Sequence, residues 1–437
     1  MGDIMATEVR KRPNPSWEEL PAPKLAPVVT AAREEQDGDE SGIAHPSGKE
    51  KKSRATQLLR GLSLVVYFLT CCVAINITQF CGAFLYLVNR DLYYAYMALT
   101  KESFGLLITT MTKIWGPTTI RISGDKSVAG QIRRTADGRV EFSFPERLVM
   151  IANHQIYTDW LYLWWVGYAN SPQMHGYLYI ILKESLKYIP VIGTGMMFYG
   201  FIFMSRKMAV DQPRMAYRLN KLKMQHTAPN GKSYMNPMWL LLFPEGTNVS
   251  DNGRVRSAKW AEKSGIKDCQ HMLLPRSSGM YFVLKELKGS VDYVYDCTVA
   301  YEGVPRGRYG EEYFTLSSTY FEGRAPKSVN FYWRRFRIED MPLDDHASFE
   351  TWLRERWYEK DALMETYVST GRFPPLPTEP GKAETDVPDF IETEVRTKHW
   401  WEFLRIFVVL AIFSLLGNIA VKIWYRLSHV NSLLSLH

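Results

Sequence analysis

Apolar and polar positions divide the chain into blocks of different character. Residues 1–56 are rich in Pro, Glu, Lys and Asp and lack apolar periodicity, which predicts a disordered tail. From Gly61 to Val88 the chain reads GLSLVVYFLTCCVAINITQFCGAFLYLV without one charge. At ~1.5 Å per residue this is roughly 40 Å of helix, longer than a ~30 Å hydrocarbon core. It predicts either one tilted span or a hairpin turning near Asn76, with membrane helices over 57–116 as a whole. A second span is expected at IFVVLAIFSLLGNIAVKIWY (406–425), within a C-terminal region of 400–437. Trp400 and Trp401 precede it, Trp424 and Tyr425 end it, and Lys422 can snorkel.

Between the spans, residues 117–372 alternate short apolar runs with helical periodicity. RLVMIA (147–152), YLYIIL (177–182), MWLLLF (238–243) and VDYVYDCTVAY (291–301) predict buried strands. Helical patterns run from Asp159 to Tyr168 and from Gln212 to Met224. Such alternation predicts an α/β fold with a mostly parallel sheet flanked by helices. A Pro-rich stretch, FPPLPTEPGKAETDVPD (373–389), opens a linker over 373–399 that separates this domain from the last span.

Composition changes the picture in two respects. The aromatic share is 14%, with 13 Trp and 25 Tyr, which suits surfaces that are half apolar and half wet. The net charge of +7 favours anionic lipid headgroups or nucleic acid without choosing between them. The absence of a finger, RNP-type or basic-arm pattern argues against nucleic acid. The basic cluster Lys49, Lys51, Lys52 and Arg54 before the first span predicts a cytosolic face. The sequons at Asn76 and Asn248 are then accidental. Cys71, Cys72, Cys81, Cys269 and Cys297 form no paired framework, so a reducing compartment is expected. No secretory signal pattern opens the chain.

Four stretches carry candidate chemistry. In NHQIYTDW (153–160), residues five apart are offset by about 140° on a helix. His154 and Asp159 can therefore meet only if His154 sits at a strand-to-helix turn and Asp159 in the first turn, with Asn153 as N-cap. Asp159 would then hold one ring nitrogen and leave the other to accept a proton. Zinc is disfavoured, because helical ligand pairs sit at i,i+4 and no third ligand is near. In GFIFMSR (200–206), Arg206 emerging from an apolar run suits a phosphate clamp or an ordinary strand end. In FPEGTN (243–248), Glu245 lies on a tight turn, able to accept from a polyol, and Gly246 allows close approach. Arg254, Arg256, Lys259 and Lys263 follow as a basic stripe, which suits phosphates or a solvated face. LPR (274–276) is too short to speak unaided.

In this order the stretches resemble the glycerophospholipid acyltransferase family with the PlsC-type domain. The N-H-x4-D block is Asn153, His154 and Asp159; G-x-x-F-[IM]-x-R is matched by Gly200, Phe203, Met204 and Arg206; F-P-E-G-T runs from Phe243 to Thr247; the fourth block supplies Pro275. The resemblance covers roughly 90–305. Two departures are Ile156, where the family often has Ser, and Asn248, where simple lysophosphatidate enzymes carry a phosphate-contacting Arg. With KESLKYIPVIGTGMMFYGFIF (183–203) and LPRSSG (274–279), they resemble the lysocardiolipin and fungal lysophosphatidylinositol branch.

The resemblance implies a membrane-bound lysophospholipid acyltransferase of the endoplasmic reticulum, with acyl-CoA as co-substrate, no other cofactor and no metal. His154 would be the base and Asp159 its orienting acid. Arg206 would bind the acceptor's phosphate, Glu245 and Gly246 its glycerol, while Pro275 and Arg276 would border the acyl-CoA site. Asn153, Gly200 and Thr247 complete the substrate-binding set. The run LYLWWV after Asp159 is expected to pack the helix into the core. A CoA-independent transacylase using the same base, and a non-catalytic lipid-binding protein of the same fold, are the alternatives.

Overall fold

The computed structural model describes residues 44–205, 207–228, 230–376 and 390–434. Helix α1 (Arg54–Gly82) starts at Ser53, whose Oγ accepts from the Thr56 N–H at 3.4 Å. It passes through Asn76 unbroken, because that side chain donates back to the Cys72 carbonyl at 3.0 Å and so stays within the helix. The hairpin expected at Asn76 is therefore displaced. The chain reverses after Gly82, through a one-turn helix at Leu85–Val88, into α2 (Arg90–Trp115), capped by Asn89. Gly82 is required at this packing: a Cβ there would lie 2.1 Å from the Tyr96 ring, whose hydroxyl donates to the Thr78 carbonyl.

Two helical stretches, Arg54–Val88 and Trp400–Arg426, are long and apolar enough to cross a membrane. Both expose much of their apolar surface, including Leu62, Val66 and Phe80 in the first and Ile412, Leu415 and Ile419 in the second. Helix α2 carries Arg90, Asp91, Lys101, Glu102 and Lys113 and packs both on α1 and on the α/β body.

The body is built on one eight-stranded sheet. Along the chain come β1 (Thr119–Gly124), the hairpin of β2 (Ile132–Arg134) and β3 (Val140–Phe142), and β4 (Arg147–Ala152). Helix α3 (Asp159–Ala169) leads to β5 (Leu178–Lys183), and α4 (Ile192–Phe198) to β6 (Ile202–Met204). Then follow α5 (Met208–Leu222), the hairpin of β7 (Gln225–Thr227) and β8 (Ser233–Met235), and β9 (Met238–Leu242). Helices α6 (Asp251–Ser264) and α7 (Ser277–Leu287) precede β10 (Tyr293–Tyr301) and β11 (Ser328–Arg337). Helix α8 (His346–Thr370), β12 (Ile391–Glu394) and α9 (Arg405–Leu434) close the order.

The sheet order is β12-β1-β11-β10-β4-β9-β5-β6. From β10 to β6 every neighbour is parallel, so these five strands end on one edge. Strand β11 is antiparallel to β10 and parallel to β1, with β12 antiparallel at the rim. Helices cover both faces, which is why β4 and β9 are continuously apolar rather than alternating. Leu148, Met150, Trp239 and Trp333 pack towards α2 and α3; Val149, Ile151 and Leu240 pack with residues of α5, α7 and α8 such as Met215, Val283 and Trp357. Leu161 to Val166 are all buried, so LYLWWV packs the core.

Two boundaries move. Residues 1–43 of the expected disordered tail lie outside the described residues, but His45, Pro46 and Ser47 are packed against the body while 48–53 stay exposed. The His45 ring meets Tyr313 and Phe314 edge-on at 5.9 and 5.6 Å, and Lys51 pairs with Glu322 at 2.8 Å. The expected linker also shortens. Residues 377–389 are outside the described set, yet Ile391 and Thr393 alternate with exposed Glu392 and Glu394, so this segment forms edge strand β12. Glu402 then accepts from the Tyr168 hydroxyl at 2.8 Å, tying the start of the last span to α3. A cavity of about 220 Å³ lies between α1, α2 and α9, with Ile75, Leu106 and Val408 in its wall, and none of the four motif stretches lines it.

A buried ionic knot locks α8 to the sheet. Asp296 on β10 takes the Arg334 Nε at 2.8 Å and the Lys360 amine, which also donates to the Cys297 carbonyl at 2.7 Å. Asp296→Ala is expected to cost about 3–5 kcal/mol, because the Lys360 amine stays buried without a carboxylate and Arg334 keeps only Glu359. Denaturation of the detergent-solubilised protein measures it, and a loss below about 1 kcal/mol would mean solvent reaches the pair.

Candidate active site

Because β4, β9 and β10 are parallel, the segments that follow them meet on one edge of the sheet, where α/β proteins place reactive groups. His154 follows β4, Phe243–Glu245 follow β9, and Tyr301 ends β10.

Asp159 is the fixed point. Its carboxylate is fully buried, and the turn from 155 to 158 wraps around it. Oδ2 accepts from the Gln155 N–H at 2.7 Å and the Ile156 N–H at 3.0 Å, and lies 2.9 Å from His154 Nδ1. Oδ1 accepts from the Tyr301 hydroxyl. An ionised carboxylate can only accept, so Nδ1 carries the ring proton and Nε2 presents its lone pair.

The histidine is held from three further sides. Its N–H donates to Glu245 Oε1 at 3.0 Å, its carbonyl accepts from the Val249 N–H at 2.8 Å, and its ring stacks on Phe243 with centroids 4.2 Å apart. The side chain keeps 17% of its surface exposed while Asp159 has none, so the ring alone faces outward. Such an imidazole can take a proton from a bound hydroxyl and return it to a leaving group.

Asn153 does not cap α3; Thr158 occupies the cap position. The Asn153 amide is buried and stitches β4 to β10, donating to the Val299 carbonyl at 2.9 Å and accepting from its N–H at 2.7 Å. It positions the turn and has no surface to offer a substrate. Glu245 is a second correction to the expected substrate set. Only 2% exposed, it spends Oε1 on the His154 N–H and Oε2 on the Leu273 N–H at 3.1 Å. It braces the first stretch to the fourth instead of facing a polyol. Burial pushes its carboxyl up to about 8, against the pull of those two N–H bonds.

Gly246 takes φ +75°, a conformation that glycine adopts without strain, and Arg276 lies beside the turn, its Nε 3.5 Å from where a Cβ would sit. The Arg276 N–H donates to the Pro244 carbonyl at 2.8 Å, which seats Pro275 and Arg276 beside the third stretch. Thr247 is half-buried next to Asn248. Gly200, at φ +72°, turns α4 into β6 against Tyr179. Arg206 lies outside the described residues. Its neighbours are clamped by buried Asp211, which accepts from the Ser205 N–H at 2.8 Å and the Lys207 N–H at 3.1 Å. Of the basic stripe, Arg254 turns inward to Asp268 and the Met272 carbonyl, whereas Lys259 and Lys263 are exposed.

Sequence reasoning missed three participants. Tyr301 is the last residue of an apolar strand and carries no local signal. Asp211 sits in the first turn of α5, where an acid suits the positive end of the helix. Glu311 accepts from the Tyr157 N–H at 2.8 Å, and burial raises its carboxyl.

Comparison with known proteins gives this geometry its class. An acyltransferase family model matches residues 133–302 and an acyltransferase C-terminus model matches 319–396, which includes β11 and α8. The chain belongs to the acyltransferase family and is an acyltransferase. Within it, the chain is similar to fungal and animal lysolipid enzymes. The 2-acyl-1-lysophosphatidylinositol acyltransferase of Saccharomyces cerevisiae is 37% identical over 340 residues, 72% of this chain and 85% of that one. An uncharacterized acyltransferase of Schizosaccharomyces pombe is 35% identical over 352 residues, 80% of this chain and 94% of its own. Lysocardiolipin acyltransferase 1 of Danio rerio is 32% identical over 241 residues, 54% of this chain and 55% of that one.

Glu245 generates a pH prediction. A carboxyl at about 8 in the folded state, against 4.5 ordinarily, keeps its proton on folding, so its contribution is full below 4.5 and is lost as pH rises through about 8. Glu245→Gln should flatten stability between these values. It should also lower stability throughout, since an amide accepts only one of the two N–H groups. Melting curves at pH 5 and pH 8.5 for both proteins provide the comparison; parallel slopes would exclude the shift.

Proposed function

We propose that the chain is a membrane-bound lysophospholipid O-acyltransferase that uses acyl-CoA. The observation that carries the reading is the His154 ring, fixed by Asp159 at Nδ1 and turned outward with Nε2 available for a proton. A free glycerol hydroxyl of the lysophospholipid gives its proton to Nε2 as its oxygen attacks the thioester carbonyl. The C–S bond breaks, and the proton passes from the imidazolium to the departing thiolate of coenzyme A. Ester and thiol are the products, with no acyl-enzyme between them.

Asp159 keeps the tautomer and stabilises the imidazolium without becoming protonated. Arg206 binds the acceptor's phosphate, and Pro275 with Arg276 borders the acyl-CoA. The names of the fungal and animal relatives support a lysolipid acceptor. The two membrane-crossing stretches suit an acceptor that arrives sideways from a bilayer. The endoplasmic reticulum, with the site facing cytosolic acyl-CoA, is the proposed location.

Purified protein given radiolabelled acyl-CoA and a lysophospholipid tests the reading. His154→Ala and Asp159→Ala should each lower kcat by about 10²–10⁴, the usual worth of a positioned base. Normal turnover by either would remove that base. Arg206→Ala should raise the KM for the lysophospholipid and leave that for acyl-CoA near its original value; the reverse would reassign the arginine.

A further inference from the structure

We infer that Tyr301 is a positioning residue of the proton transfer: by holding Asp159 Oδ1, its phenol tempers the carboxylate's pull on the His154 ring and sets the pH above which that ring can act as a base. What this means for turnover rests on the acyl-transfer reading above.

The fold presents this phenol to one oxygen. Pairing of β10 with β4 runs to Cys297 and Ala152, and the Asn153 amide extends it to Val299, two residues before Tyr301. The Tyr301 ring is buried against Tyr162 and Phe314, with centroids 6.4 and 5.7 Å away. Phe314 is backed in turn by the His45 ring, edge-on at 5.6 Å. Held this way, the hydroxyl donates to Asp159 Oδ1. Oδ2 has the Gln155 and Ile156 N–H groups and His154 Nδ1, whereas Oδ1 has no donor but Tyr301 among the described residues. Burial, with Asp159 alongside, holds the phenol well above the usual tyrosine range, so it keeps the proton it donates.

A donor on one carboxylate oxygen draws negative charge from the other, and so from the imidazolium that the other supports. Without the phenol, Oδ1 would stand buried and unanswered, and the histidine–aspartate pair would hold a proton to higher pH. That proton belongs to the pair, so the direction is the same wherever it rests. Other titratable groups surround the pair: Glu245 from the turn after β9, Glu311 from the loop after β10, Tyr162 on α3, and Cys297 on β10 with the Lys360 amine at its carbonyl. Arg276 of the fourth stretch lies beside Gly246. All of them remain when the Tyr301 hydroxyl is removed.

Diethyl pyrocarbonate, which modifies only unprotonated imidazole, reads this without any turnover. Full-length protein in detergent is treated from about pH 5 to about pH 9, and modification of the outward-facing His154 ring is followed by peptide mass spectrometry. Tyr301→Phe should raise the midpoint by about one pH unit, while Tyr162→Phe should leave it in place. Replacing Tyr301 by 3-fluorotyrosine, a stronger donor of nearly the same shape, should lower the midpoint, a reversal that a structural defect does not produce. The acid limb of acyl transfer to a lysophospholipid should move in the same order. A midpoint unmoved or lowered in Tyr301→Phe, or moved equally by Tyr162→Phe, overturns the role of Tyr301. Midpoints that shift as expected in a protein that transfers no acyl group take down the acyl-transfer reading alone.

Discussion

A carboxylate sealed from water must have its lone pairs answered by donors, and at Asp159 the answers come from every part of the site. Two backbone N–H groups of its own turn, one ring nitrogen and one phenol converge on it. Each donor is thereby fixed in place. The turn cannot open without stranding a buried charge, the imidazole cannot rotate without losing its partner, and β10 is registered against β4 through Tyr301 as well as through Asn153. A single desolvated group thus holds the turn from His154 to Asp159 as a fixed mount for the imidazole.

The rest of the architecture serves that mount. Parallel strands bring segments distant in sequence to the same edge, and Glu245 then ties them by accepting from both His154 and Leu273. Asp211 performs the same service on β6, holding the residues on either side of position 206. Three buried acids therefore organise all four stretches in which chemistry was sought. The two stretches long and apolar enough to cross a membrane flank the sheet in sequence, and α2 and Glu402 link them to the α/β body through α3.

Much of this was legible in the sequence. The long chargeless run, the four apolar strands and the offset between His154 and Asp159 follow from local rules, because burial on both faces and helix geometry act over a few residues. β4 keeps its expected bounds, and the other three strands shift by one or two residues at one or both ends. The reversal at 83–89 was not legible, because asparagine can satisfy itself within a helix as well as break it, and only the partner helix reveals which. Strand β12 was hidden in a segment whose Pro-rich composition reads as linker, since its pairing partner lies some 270 residues away in sequence.

What the sequence determined by itself was the inventory: which runs must be buried, which ends are apolar enough for a bilayer, and which residue types are able to move a proton. Whether a given polar group faces substrate or the interior was decided only by tertiary structure. Glu245 and Asn153 look available on paper and turn out to be bonded to backbone; Glu311 and Tyr301 look incidental, yet one holds the Tyr157 N–H and the other the Asp159 carboxylate. The reason is physical. A side chain's role depends on which donors and acceptors surround it in space, and those are set by strand order and loop packing across more than a hundred residues.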